Sequence, residues 1–285
     1  MNPLQVSLVQ LCSSTQVNDN LNTIELLLKN TLDDQPDIIV LPESFSYRGK
    51  KQANPGQDED TLRQWMSHLA TTYQCWLIGG TIPCQLTPGG LCRASCFVYS
   101  PQGKEICHYD KIHLFDVDVG DEKGAYRESN DFCPGSKPTL FSLDTPEPAT
   151  VGLSVCYDLR FPELYRLLTN HGAHILSVPS AFTHKTGQAH WEILLRARAI
   201  ENQCFVLGAN QGGVHSDGTR TWGHSMIVDP WGNILAQARK QATVVSACLN
   251  FNELLDRRSS MPCLKHQRLS TIKIVPQKSN SGSQH

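Results

Sequence analysis

The chain has 285 residues, 40% of them hydrophobic, with 25 Lys and Arg against 27 Asp and Glu, enough length and apolar content to bury one large core as a single α/β domain. A net charge of −2 lacks the basic footprint that nucleic-acid binding leaves, so the expected partner is a small molecule rather than a nucleic acid. No run of about eighteen apolar residues offers a membrane span, Met1-Asn2-Pro3-Leu4 leads into a strand pattern without the zones of a signal peptide, and the expected address is cytoplasmic. The eleven cysteines, an odd number scattered through apparent strands, suit reduced and buried thiols better than a disulfide framework.

In chain order, Val6-Ser7-Leu8-Val9-Gln10 reads as a strand, and Leu21, Ile24, Leu28 and Leu32 recur at helical spacing behind Asn18, a capping residue type, which predicts a helix over 18–32. Ile38 to Leu41 is a continuous apolar strand that stops at Pro42 and delivers Glu43 at its carboxyl end. A helix is predicted over 58–73, a strand over 76–82, a loop over 84–91 and a strand over 96–99. From Lys104 to Leu114 the chain reads as extended, and Lys111, among apolar and aromatic neighbours, is either an exposed edge-strand lysine or part of a site. The acid-rich stretch 116–130 is either a cover over a substrate mouth or an ordinary surface loop.

Val151, Leu153 and Val155 alternate with small residues up to Cys156, and Pro162 suits the first turn of a helix predicted over 162–171. One thiol therefore stands at a strand's carboxyl end, where α/β sheets bind ligands and where N–H groups of the next turn can face a developing negative charge. Further strands are predicted over 175–178, 204–209, 225–228 and 243–249, and a helix over 190–202; the alternation predicts a layered α/β architecture. The polar stretch 276–285 carries no apolar anchor, so the expected organisation is one domain over 1–275 and a disordered tail. Cys92 with Cys96 and His171 with His174 have no second pair at zinc spacing, and Gly208 to Gly213 lacks the lysine and spacing of a phosphate loop and reads as a turn.

Leu41-Pro42-Glu43, Tyr109-Asp110-Lys111-Ile112-His113-Leu114 and Cys156-Tyr157-Asp158-Leu159-Arg160-Phe161-Pro162-Glu163-Leu164 resemble, in order, the three signatures of the nitrilase superfamily, and the likeness runs from Leu4 to Asn252. Gly187 to Glu192, Arg196 to Asn202 and Gly223 to Gly232 resemble the Nit branch, which hydrolyses small ω-amides of dicarboxylic acids. The resemblance implies a four-layer αββα sandwich, a homodimer joined through helical faces, a cysteine acyl-enzyme route, no cofactor and no metal. Pro179-Ser180-Ala181-Phe182, Trp191 to Arg198 and Ile200 to Cys204 are most like the amidases of deaminated glutathione, which release 2-oxoglutarate and cysteinylglycine. An ω-amidase acting on 2-oxoglutaramate is the alternative enzyme, and a nitrilase-fold binding module without turnover is the reading from another class.

The resemblance assigns Cys156 as nucleophile, Glu43 as general base and Lys111 with the Tyr157 main-chain N–H as holders of the tetrahedral oxygen. These are the groups that attack on an amide requires. Glu128, in Arg127-Glu128-Ser129-Asn130, resembles a second glutamate that orients the site; by itself it reads as a loop carboxylate. Arg160 matches a position that holds a substrate carboxylate, and otherwise pairs with Asp158 or Glu163. Ser180, Ala181, Phe182 and Thr186 are expected to line the mouth, and Arg196 to Ala199 either joins a dimer face or packs near the site. A cysteine with His190 or His224 as base would leave the glutamate and lysine idle.

Overall fold

The structure, a computed structural model, describes residues 3–32, 34–49, 58–87, 90–121, 124–144 and 149–269; the expected tail at 276–285 and the end of the expected domain lie outside them. Two sheets carry the architecture. In the first, the strands Thr243–Leu249, Leu4–Gln10, Ile38–Val40, Trp76–Ile78 and Cys92–Tyr99 lie side by side in that order, and Cys92–Tyr99 also pairs with Ile82–Gln85 and Glu105–Asp110. The second runs Ile234–Gln237, Met226–Val228, Phe205–Gly208, Ile175–Ser177, Thr150–Leu153 and Leu140–Ser142.

Alternating apolar residues decide how the layers stack. Val6, Leu8, Ile38, Val40 and Ile78 of the first sheet join Val151, Leu153, Ile175 and Phe205 of the second in one buried cluster between the sheets. Val9, Ile39, Leu41 and Leu77 face the other way and pack on Leu21, Ile24 and Leu28 of the helix Val17–Thr31 and on Leu62, Met66 and Leu69 of the helix Glu59–Thr72. The helices Pro162–Asn170 and Glu192–Asn202 cover the outer face of the second sheet. Glycines let them close in: a Cβ at Gly152 would come within 3.1 Å of Leu168, and one at Gly208 within 2.8 Å of Leu195. The result is the four-layer αββα sandwich, and each fully buried Val, Leu or Ile contributes about 1.5–3 kcal/mol to it.

Several elements differ from the sequence pattern. The helix expected from Asn18 begins at Val17, with Gln16 in the cap position and no side-chain cap; the polar support comes instead from Asn20, which accepts the Ser14 N–H at 2.8 Å and donates to the Ser14 and Ser46 carbonyls. The single strand expected over 76–82 is split at Gly79-Gly80. Gly80 adopts φ +57, and a Cβ there would strike the Pro42 carbonyl, so the interruption lets this strand pair approach the residue preceding Glu43. The helix expected from His190 begins as a turn at His184–Thr186 and passes through a π turn at Gly187–Trp191 before Glu192–Asn202. Trp191 fixes that turn, donating its ring N–H to the His224 carbonyl at 2.7 Å. All eleven cysteines are free, but they are not uniformly buried: Cys248 and Cys263 are exposed.

Candidate active site

The parallel strands Ile38–Val40, Thr150–Leu153 and Ile175–Ser177 end at the same edge of the sandwich and hand on to Glu43, Cys156 and Ala181. With Lys111 and Glu128 these line a hollow of about 450 Å3, open to solvent, whose wall also includes Ser44, Arg48, Phe115, Tyr126, Tyr157, Phe182, Thr183 and Thr186. Cys156 sits at φ +50, in the left-handed region, and Ser44, the residue after Glu43, at φ +57. Backbone held this way by a non-glycine residue is strained and persists only where its surroundings enforce it; here the Cys156 N–H is tied to the Pro179 carbonyl at 2.9 Å and the Ser44 N–H to Thr81 Oγ1 at 2.9 Å.

Lys111 Nζ lies 2.7 Å from Glu43 Oε1 and 2.9 Å from each Glu128 carboxylate oxygen. The other Glu43 oxygen accepts the Ala181 N–H at 2.8 Å, and Glu128 accepts the Phe115 N–H at 2.6 Å. Lys111 is therefore a buried ammonium between two buried carboxylates, not an edge lysine, and Glu128 is not a solvated loop acid. Burial alone would raise the Glu43 pKa, but Lys111, the Cys156 thiol and Arg48 outweigh it and hold the carboxyl below its ordinary value. Burial and the Glu43 charge both raise Glu128 against the pull of Lys111. The Cys156 thiol is pushed well above its ordinary value, first by burial and then by the Glu43 carboxylate, so it rests as a thiol. The charged groups titrate together, and although burial opposes it, the Lys111 ammonium stays charged because the Glu128 and Glu43 carboxylates outweigh that effect.

A family model described as carbon-nitrogen hydrolase matches residues 5–257. The chain belongs to the carbon-nitrogen hydrolase family. It is similar to the deaminated glutathione amidase of Yersinia enterocolitica, 41% identical over 99% of this chain and 98% of that protein, and to the omega-amidase NIT2-B of Xenopus laevis, 37% identical over 98% and 100%. Among solved structures, the C. elegans NitFhit protein superposes with a TM-score of 0.82 at 29% identity, covering 99% of this chain and 69% of that one. Saccharomyces cerevisiae Nit3, of the nitrilase superfamily, gives 0.78 at 31% identity, covering 92% and 95%. This carbon-nitrogen hydrolase is thus an enzyme of the amide-hydrolysing class.

Of the mouth residues expected in this hydrolase, Tyr157, Ala181, Phe182 and Thr186 line the hollow, whereas Ser180 is fully buried with its hydroxyl on the Val178 carbonyl at 3.1 Å. Arg160 stands just outside the lining. Its guanidinium lies over the Phe182 and Tyr157 rings and 3.1 Å from His190 Nδ1, rather than in a salt bridge with Asp158 or Glu163. Among the described residues no histidine lines the hollow: His190 is engaged by Arg160 and His224 stacks on Trp222 at 4.5 Å. Arg198 packs beneath the turn that carries Cys156, donating twice to the Leu159 carbonyl. The stretch 116–130 contains a two-stranded ribbon, Asp116–Asp118 with Ala125–Arg127, and Tyr126 on it and Phe115 before it line the hollow.

The connection between Lys111 and Cys156 runs through Asp158, which is fully buried. Its Oδ2 accepts from the Tyr109 hydroxyl at 2.7 Å and the Val155 N–H at 2.8 Å, and its Oδ1 from the His113 N–H at 3.1 Å and ring Nδ1 at 2.7 Å. The His113 ring is itself stacked on Phe161 at 3.6 Å. One carboxylate thus ties residues on both sides of Lys111 to the residue before Cys156. Asp158→Asn, which presents an N–H2 to donors, is expected to cost about 2–4 kcal/mol in urea unfolding and to lower kcat about tenfold or more with the conservative shape retained. Stability and kcat both close to the parent's would remove this positioning role. Gln211, also unanticipated, holds the other side: its Nε2 donates to the Glu43 carbonyl at 3.0 Å and to Ser13 Oγ at 2.7 Å.

Proposed function

We propose that this hydrolase cleaves the terminal amide of deaminated glutathione, releasing cysteinylglycine and 2-oxoglutarate, through a thioester on Cys156. The observation that supports it most is the Glu43 carboxylate, fixed by Lys111 and the Ala181 N–H and close enough to Cys156 for each to shift the other's titration. Because the thiol rests protonated, attack on the amide carbonyl requires Glu43 to take the proton as the carbon–sulfur bond forms. The Glu128 oxygens are equidistant from Lys111 Nζ, so one ammonium proton suffices between them and another can face the tetrahedral oxygen. The Cys156 and Asp158 N–H groups are spent on the Pro179 and Val155 carbonyls, and the Tyr157 N–H between them is the main-chain donor assigned to that oxygen. Glu43 then passes the proton to the departing nitrogen, the carbon–nitrogen bond breaks, and a water deprotonated by Glu43 displaces the thiolate, which recovers that proton as 2-oxoglutarate leaves. Glu128 orients Lys111 throughout.

The relatives named as deaminated glutathione amidases reach 41% identity and those named as omega-amidases 37%, so 2-oxoglutaramate is the second substrate to test. With both amides at matched concentrations, kcat/KM is expected to favour deaminated glutathione by about tenfold or more. The reverse ratio would make the protein an ω-amidase, and turnover of neither would leave a binding module. A cytoplasmic homodimer is the proposed setting. Leu167, Ile193, Ile200 and Trp231, on or beside the two outer helices, are exposed apolar side chains that pairing would cover.

A further inference from the structure

The hollow contains a cation that the steps above do not use. Arg48 lines it beside Glu43, Phe115 and Tyr126 and is 7% exposed. The segment that carries it is anchored from behind: the Arg48 N–H donates to the Ser14 carbonyl at 2.9 Å, Asn20 Nδ2 to the Ser46 carbonyl at 2.8 Å, and Ser13 Oγ to the Phe45 carbonyl at 3.0 Å. Its guanidinium, by contrast, has no ion-pair partner among the described residues, and its Nε is buried without a hydrogen-bond partner. The other arginines near the site differ: Arg198 pairs with Glu201 at 2.8 Å, and Arg160 is held by His190 and two rings. Lys111 is already shared between Glu43 and Glu128.

A buried charge without an ion-pair partner is costly, and a planar fork of N–H donors fits a carboxylate at two points. We infer that Arg48 is the specificity-determining residue of this site, gripping a carboxylate at the far end of the substrate's acyl half, so that amides of dicarboxylic acids are taken and neutral amides of the same length are not. The inference rests on the amidase reading of the hollow and names what that reading leaves open. Arg48 lines the hollow that the acyl group must occupy while it is bonded to Cys156, whereas Arg160 is partly exposed and is not among the lining residues. Arg48 also lowers the Glu43 pKa, as the smallest of the contributions to it; a role confined to that effect would not depend on the charge of the substrate.

Glutaramate and its uncharged counterpart glutaramide separate the two. Wild-type protein is expected to prefer glutaramate in kcat/KM, and Arg48→Gln to reduce that preference by about 100-fold, mostly through KM, with inhibition by glutarate weakened to a similar degree. Arg48→Lys, which keeps charge but not the fork, should fall between them, and it carries the test if the glutamine variant does not fold. Parallel loss on both amides with the preference intact would overturn the inference and leave Arg48 acting through Glu43. A selective loss of glutaramate turnover in Arg160→Gln but not in Arg48→Gln would overturn it as well. If the wild-type protein hydrolyses neither these amides nor deaminated glutathione and 2-oxoglutaramate, the amidase reading fails by itself, and glutarate binding measured calorimetrically on wild type and Arg48→Gln still decides whether Arg48 holds a carboxylate.

Discussion

Cys156→Ala is expected to lower turnover of both deaminated glutathione and 2-oxoglutaramate by about 10^4-fold or more, with the unfolding transition shifted by no more than about 1 kcal/mol. The activity loss follows from the absence of another nucleophile in the proposed route: Glu43 would be left with no thiol to deprotonate. The small stability change follows from geometry. Alanine meets the same left-handed backbone at φ +50 as cysteine does, so its strain is unchanged, and the sulfur that is removed faces a hollow that solvent already reaches. Progress curves and urea melts on the same preparations give both readings. Retention of more than about a tenth of the activity would show that another group makes the covalent bond.

Lys111→Met should be the most destabilising change at the site and also abolish turnover. Glu43 and Glu128 would remain buried without the ammonium that lies 2.7 Å and 2.9 Å from them, and breaking a buried pair in this way costs about 3–5 kcal/mol. The pH dependence has a definite sign. With Lys111 gone, burial and mutual repulsion raise both carboxyl pKa values above those of the unfolded chain. Groups raised on folding favour the native state below their unfolded pKa, and that contribution is lost as pH rises through their folded values. The variant should therefore lie nearest to wild type around pH 5 and farthest from it around pH 8, and adding Glu128→Gln should recover part of the loss at pH 8. Urea unfolding at the two pH values measures this; an equal deficit at both would mean that the two carboxylates do not depend on Lys111.

What could be read in the sequence follows from how local each signal is. Apolar strands ending at Pro42-Glu43 and Val155-Cys156 are local patterns, and the structure places both ends at one edge of the sandwich. Asp158 stood in plain view two residues after the thiol but read only as a neighbour of Arg160; its partners Tyr109 and His113 are more than forty residues away, and no periodicity links them. Arg48 left no signal because it lies in a short polar segment between helix and strand patterns, where an arginine ordinarily reads as solvated. Its segment is anchored by Ser14 and Asn20, far away in the chain, and it lines the hollow beside Tyr126 of the ribbon. The strand over 76–82 was misread for a reason that was visible: Gly79-Gly80 marks a break, but an apolar run on both sides masks it.

The uneven exposure of the eleven thiols decides how this enzyme can be probed chemically. A general alkylating reagent would modify Cys248 and Cys263 on the outside well before it reached Cys156, so total label incorporated would not count working sites. An electrophile shaped as a dicarboxylate monoamide would instead be concentrated in the hollow, where loss of activity and mass added to the protein should advance together.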